Sequence, residues 1–140
     1  IGNDIVMVDT ELGKFGLSIC YDIRFPELYR YMAQNGCQVL FTPANFQMQT
    51  GKDHWEIILR TRAVENTCYV VAAGQIGKKR GTSLSYGSSL VADPGTVIAR
   101  AKETAGVTMA EIDLDYLDKV RRDLPCLKNK RNDIYEVIKK

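Results

Sequence analysis

Apolar and polar residues follow one another along this chain in short bursts whose period changes several times. Residues 5–8 and 15–20 are apolar runs of strand length, and the second stops abruptly at Cys20, as a buried strand does when it ends in an exposed turn. Residues 26–36 switch to helical spacing. Pro26 suits a first helical position, Leu28, Tyr31 and Met32 share a face, and Gly36 suits the stop. Residues 37–42 predict a second strand closed by Pro43, and the polar stretch 45–53 predicts a loop. Across 54–65, Trp55, Ile58, Leu59 and Ala63 fall on one stripe with arginines opposite, which predicts a helix before 69–73 returns as a strand.

Strand, helix, strand, helix, strand is the order of an α/β layer with a largely parallel sheet. Beyond residue 84 the pattern turns antiparallel: 85–92 and 97–101 flank Asp93-Pro94-Gly95 as hairpin strands would, and 107–112 predicts another strand. Residues 113–124 predict an amphipathic helix ending at Pro125, followed by a basic, extended tail at 128–135. Repeats, linkers and low-complexity segments are lacking, so one domain, or one piece of a domain, accounts for the pattern.

Composition narrows the partners more than the activity. With 45% hydrophobic and 26% charged residues the chain has the make-up of a globular domain, and a net charge of +2 with scattered basic residues gives no stripe for a nucleic acid. The apolar runs are far shorter than the ~20 residues a membrane span requires, so neither nucleic acid nor membrane is an expected partner. Cys20, Cys37, Cys68 and Cys126 sit inside apolar patterns and are expected to be free thiols in a reducing compartment, the cytoplasm or alternatively the mitochondrion. Without CxxC spacing they do not read as zinc ligands, and no metal is expected. The first residue is Ile1, and the chain is expected to be part of a longer one.

Cys20 is the residue with the most chemistry to offer. A cysteine at the tip of a buried strand, just before a helix, projects from a sharp turn where backbone N–H groups face it; the thiolate is the reactive form, which a helix N-terminus and Arg24 would favour. Read from position alone, it is equally a small buried side chain. His54, the only histidine, suggests a Cys-His dyad, although nothing around it has the context of a cysteine protease. Arg24 either pairs with Glu27 one turn away or binds a substrate carboxylate bidentately. Glu56 either faces the site or charges the first turn of its helix. Asn45, Phe46 and Thr50 follow the second strand, where α/β sites gather their contacts, and are the candidates for a substrate pocket.

The stretch Gly16-Leu-Ser-Ile-Cys20-Tyr-Asp-Ile-Arg24-Phe-Pro-Glu27 resembles the cysteine signature of the nitrilase, or carbon-nitrogen hydrolase, superfamily. The resemblance runs on through Thr42-Pro-Ala-Asn-Phe46, the segment 54–66, Tyr86-Gly-Ser-Ser, Asp93-Pro94 and Ile112-Asp-Leu-Asp-Tyr, in the family's order. It implies the C-terminal portion of a four-layer α-β-β-α sandwich with a mixed sheet, so that residues 1–140 make a partial domain. It also implies Cys20 as nucleophile, the Tyr21 N–H as an oxyanion donor, and no cofactor.

The expected reaction is hydrolysis of an amide in a small carboxylate-bearing molecule through a cysteine thioester, releasing ammonia, by a protein that forms homo-oligomers, dimers or larger. Among branches, Gln75-Ile-Gly-Lys-Lys-Arg, Ser85-Tyr-Gly and residues 106–116 most resemble the deaminated-glutathione amidases, with the ω-amidases next. The family's catalytic glutamate and lysine lie on segments before the cysteine strand and have no counterpart here; Glu11 and Lys14 belong to the strand leading into Cys20. The alternative is therefore an inactive fragment or assembly subunit of the same fold. The turn at Asp93-Pro94 lacks the family's usual tryptophan after the proline, and Ser88 stands where a histidine is common.

Overall fold

The apolar alternation before Cys20 becomes a hairpin in the computed structural model, which describes residues 2–78 and 83–140. Strand β1 (Val6–Thr10) pairs antiparallel with β2 (Gly13–Leu17). The chain then turns through a 3-10 turn at Cys20–Arg24 into helix α1 (Pro26–Gln34), and β3 (Val39–Phe41) returns parallel to β2. Helix α3 (Glu56–Asn66) leads to β4 (Tyr69–Ala72), parallel to β3. Beyond it β7 (Leu90–Ala92) and β8 (Val97–Arg100) add antiparallel, giving one sheet in the order β1-β2-β3-β4-β7-β8. The sheet is mixed, as expected, with only its three central strands parallel.

Helices α1 and α3 cover one face of this sheet. Tyr29, Met32, Leu59 and Ala63 meet Leu40 and Val70 there in a fully buried core. Helix α4 (Leu114–Asp123) covers part of the other face, capped by the Asp113 carboxylate on Tyr116 N–H at 2.9 Å. Leu117 lies buried against Val39 and Tyr69, and Arg121 fastens the helix to the carbonyls of Thr67 and Cys37 at 2.9 Å each. The chain thus supplies one helical layer and one sheet of the expected sandwich.

Several expectations need correcting. Of the stretch 45–53 only 45–47 is loop: from there helix α2 (Met48–Thr50) and a π-helical turn at Gly51–Trp55 run directly into α3. Gly51 fits against Tyr86, where a Cβ would lie 2.3 Å from that residue's Cβ and Cγ, so it is a close-packing point in a stretch that reads as loop. The arginines are not all opposite the apolar stripe of α3. Arg62 is seven residues on from Trp55, hence on the same face, and is buried, donating from Nε to Ile23 O at 2.9 Å and pairing with Glu65.

Residues 85–92 are not one strand. Left-handed backbone at Gly87 and Ser88 (φ 73° and 54°) divides them into β6 (Leu84–Tyr86), paired with β5 (Ile76–Lys78) in a separate two-stranded ribbon, and β7. Lys79 and Arg80 of the branch-specific stretch lie outside the described residues. Residues 107–112 form no strand, and Val107 and Met109 are about 90% and 87% exposed. The tail is not extended either. It is a series of turns in which Tyr135 N–H reaches Arg131 O and the Lys130 ammonium sits over the Tyr135 ring at 5.1 Å. No helix among the described residues is long and apolar enough to cross a membrane.

Candidate active site

Cys20 sits where the parallel strands end. The β2–β3 pairing continues past Leu17 as Ser18 N–H donates to Phe41 O at 3.0 Å and Cys20 N–H to Pro43 O at 2.9 Å. Ile19 is still extended, and Cys20 then enters the left-handed region at φ 50°, a conformation that costs a non-glycine residue about 1–2 kcal/mol. The turn is locked by Asp22, whose carboxylate accepts from Ile19 N–H at 2.8 Å while its own N–H returns to Ile19 O at 3.1 Å. Such strain persists only where the surroundings over-determine it.

Behind the turn three buried hydroxyls close a triangle. Ser18 lies 2.7 Å from both Tyr29 and Thr42, which are 2.9 Å apart. Burial pushes the Tyr29 phenol above its ordinary pKa, against the hydrogen bonds from Ser18 and Thr42. This network ties the residue two before Cys20 to the residue before Pro43, so both walls of the turn move together.

An open cleft of about 530 Å³ lies above, lined by Cys20 with Ile19, Pro43, Asn45, Gly74 and Gln75. The thiol is half-buried and points toward Asn45 O at 3.9 Å. Tyr21 is the second residue of the 3-10 turn, so its N–H has no acceptor within that turn. No carboxylate lines this cleft.

The other expected residues divide into two groups. Arg24 and Phe46 come together: the guanidinium lies over the rings of Tyr21 and Phe46 at 5.5 and 5.2 Å and contacts His54 Nδ1 rather than Glu27. Phe46 is buried against Trp55, and Asn45 reaches the cleft through its backbone. Thr50 is half-buried and donates to Gln47 O at 3.4 Å. Glu56 is turned away, paired with Arg100 and lining a separate groove along α3. Helical position foretold none of this: Arg24 and Phe46 meet His54 and Trp55 across the fold, and Glu56 is drawn off by Arg100.

Residues 2–122 match the family described as carbon-nitrogen hydrolase. The chain belongs to the carbon-nitrogen hydrolase family. It is 50% identical over 129 residues to the deaminated glutathione amidase of Homo sapiens, covering 91% of this chain and 39% of that protein. Among solved structures, the NitFhit protein of Caenorhabditis elegans superposes with TM-score 0.93 at 46% identity, covering 97% of this chain and 34% of that one. Nit3 of Saccharomyces cerevisiae, a member of branch 10 of the nitrilase superfamily, superposes with TM-score 0.87 at 36% identity, over 94% of this chain and 48% of its own. The chain therefore spans well under two thirds of the carbon-nitrogen hydrolases it matches.

Of the remaining cysteines of this carbon-nitrogen hydrolase, Cys126 is half-buried like Cys20, and two differ from it in setting. Cys37 and Cys68 are fully buried, and burial pushes both thiols up to about 11 from 9.0. At neutral pH iodoacetamide is expected to label half-exposed Cys20 and leave these two untouched in the folded chain. Because their folded-state pKa values are raised, the stability they confer is complete below pH 9 and is lost as pH rises through about 11. Equilibrium unfolding that showed no loss of stability across that window would contradict the assignment. Among the described residues no group of three or more His, Cys, Asp or Glu side chains is placed to hold a metal.

Proposed function

We propose that Cys20 is the nucleophile of an amidase that hydrolyses a carbon–nitrogen bond in a small, carboxylate-bearing amide. The observation that carries this reading is the left-handed Cys20 backbone, held at the end of parallel strands and facing an open cleft. The Cys20 thiolate attacks the amide carbon, and the negative charge passes to the carbonyl oxygen, within reach of the Tyr21 N–H. Collapse breaks the C–N bond, the nitrogen leaves with a proton, and a thioester to Cys20 remains. Water then cleaves the thioester, giving a carboxylic acid and restoring the thiol. The net reaction is amide plus water to acid plus ammonia, or plus an amine where the amide is secondary.

Arg24, held near the turn over the rings of Tyr21 and Phe46, supports a carboxylate on the substrate. Deaminated glutathione, named for the human relative, is such a molecule, and its amides are secondary. The ω-amidase reading keeps the same carboxylate but uses a primary amide. Both need a general base to move protons, and the cleft's lining has none. We place that base, with a lysine, on a segment preceding the cysteine strand in the complete protein, a homo-oligomer of the cytoplasm.

The test is release of amine from deaminated glutathione and of ammonia from small ω-amides by the complete protein and by this chain. An Arg24→Gln variant is expected to raise KM for both carboxylate-bearing substrates by about 10–100-fold, as the loss of a charge-assisted pair implies. Turnover by the 140-residue chain alone would overturn the external base, and silence in the complete protein would favour an assembly subunit instead.

A further inference from the structure

We infer that His54 is a positioning residue that holds the Arg24 guanidinium in place for a carboxylate; this rests on the carboxylate reading just proposed. Both Arg24 Nη atoms lie close to one acceptor, His54 Nδ1, at 3.3 and 3.4 Å. A guanidinium only donates, so the contact requires Nδ1 to accept, which the tautomer with its proton on Nε2 provides. The guanidinium carbon lies over the rings of Tyr21 and Phe46 at 5.5 and 5.2 Å, and the contact to His54 sets the direction in which its Nη atoms point.

His54 is itself fixed from both sides. Gly51, three residues before it, is wedged under Tyr86, and Trp55, the next residue, donates from Nε1 to Ser88 O at 2.8 Å and packs on Phe46. The π-helical turn between them is what brings the imidazole round to Arg24, and such turns are enriched at functional sites. Arg24 remains under-satisfied nonetheless. Its Nε is buried without a partner, and its two other contacts are long and share one nitrogen. A half-buried cation short of acceptors is under-compensated until an anion completes it. His54 thus keeps the guanidinium oriented while the remaining donors wait for a ligand, which a Cys-His dyad reading of this residue would not explain.

His54 is the only histidine of the 140 residues, so 15N-histidine labelling gives one pair of ring nitrogens. The proton is expected on Nε2, and Arg24→Gln is expected to move the Nδ1 resonance. Glutarate, a plain dicarboxylate, is expected to shift Nδ1 in the wild-type chain and not in Arg24→Gln. The same titration, followed by backbone resonances, should weaken about 10-fold in His54→Phe and recover in His54→Asn, whose amide oxygen replaces the Nδ1 acceptor. A variant that unfolds is recognised by its melting curve, and the labelled wild type still decides the contact. A proton on Nδ1, a resonance indifferent to Arg24, or no glutarate binding overturns the inference. Glutarate binding that depends on His54 in a protein that hydrolyses no amide would sink the amidase reading and leave this one standing.

Discussion

Cys20→Ala is expected to remove amide hydrolysis in the complete protein by roughly 10⁴-fold or more, the scale on which loss of a covalent nucleophile is felt. The fold should survive it, because the thiol is half-exposed and its hydrogen bond to Asn45 O, at 3.9 Å, is long; the melting temperature is expected to stay near that of the wild type. Cys20→Gly separates chemistry from architecture more sharply. Glycine adopts φ 50° without the Cβ penalty, so this variant should be as inactive as Cys20→Ala yet more stable by about 0.5–1 kcal/mol. Denaturant midpoints of the three proteins measure the difference. Equal stability would mean that the turn at Cys20 stores no strain, and retained hydrolysis would remove Cys20 from the mechanism altogether.

The sequence was most informative where one period ruled a whole element. The strand–helix–strand–helix–strand order and the abrupt end of the apolar run at Cys20 were both legible from spacing, since a parallel layer buries its strands completely and leaves their ends at the turns. It was least informative where contact, not pattern, decides. Gly51 lies in a stretch that reads as loop and Gly87 in one that reads as strand, but one is a packing point under Tyr86 and the other a left-handed hinge that sends β6 and β7 to different sheets. Arg62 reads as polar, yet it is buried because the Ile23 carbonyl and Glu65 satisfy it. The Ser18–Tyr29–Thr42 triangle joins residues 11 to 24 positions apart, and no local signal foretells it. Glu56 shows the same limit from the other side: its position in the chain suggested the site, and Arg100, 44 residues on, holds it elsewhere.

Gly74 is where the cleft has least tolerance. A Cβ built there would lie 2.0 Å from the carbonyl oxygen of Gly87 and 2.7 Å from its carbon, and neither atom belongs to a side chain that could swing aside. Gly74 in turn is pinned by its N–H to Ser89 Oγ at 2.9 Å and by the parallel bridge to Ala44. Gly74→Ala must therefore displace the chain between Ala73 and Gln75, which forms the wall opposite Cys20. The expected cost is about 1–3 kcal/mol, the usual range for overpacking a close contact. Gly106→Ala, with nothing within 4 Å of the added carbon, is expected to unfold at the wild-type midpoint. The rate of Cys20 alkylation adds a second readout, since a shifted wall should change access to the thiol while Gly106→Ala leaves it alone. Should Gly74→Ala match the wild type in both, the close approach of these two backbones is not what shapes the cleft, and the hydroxyl triangle behind Cys20 would have to hold the turn alone.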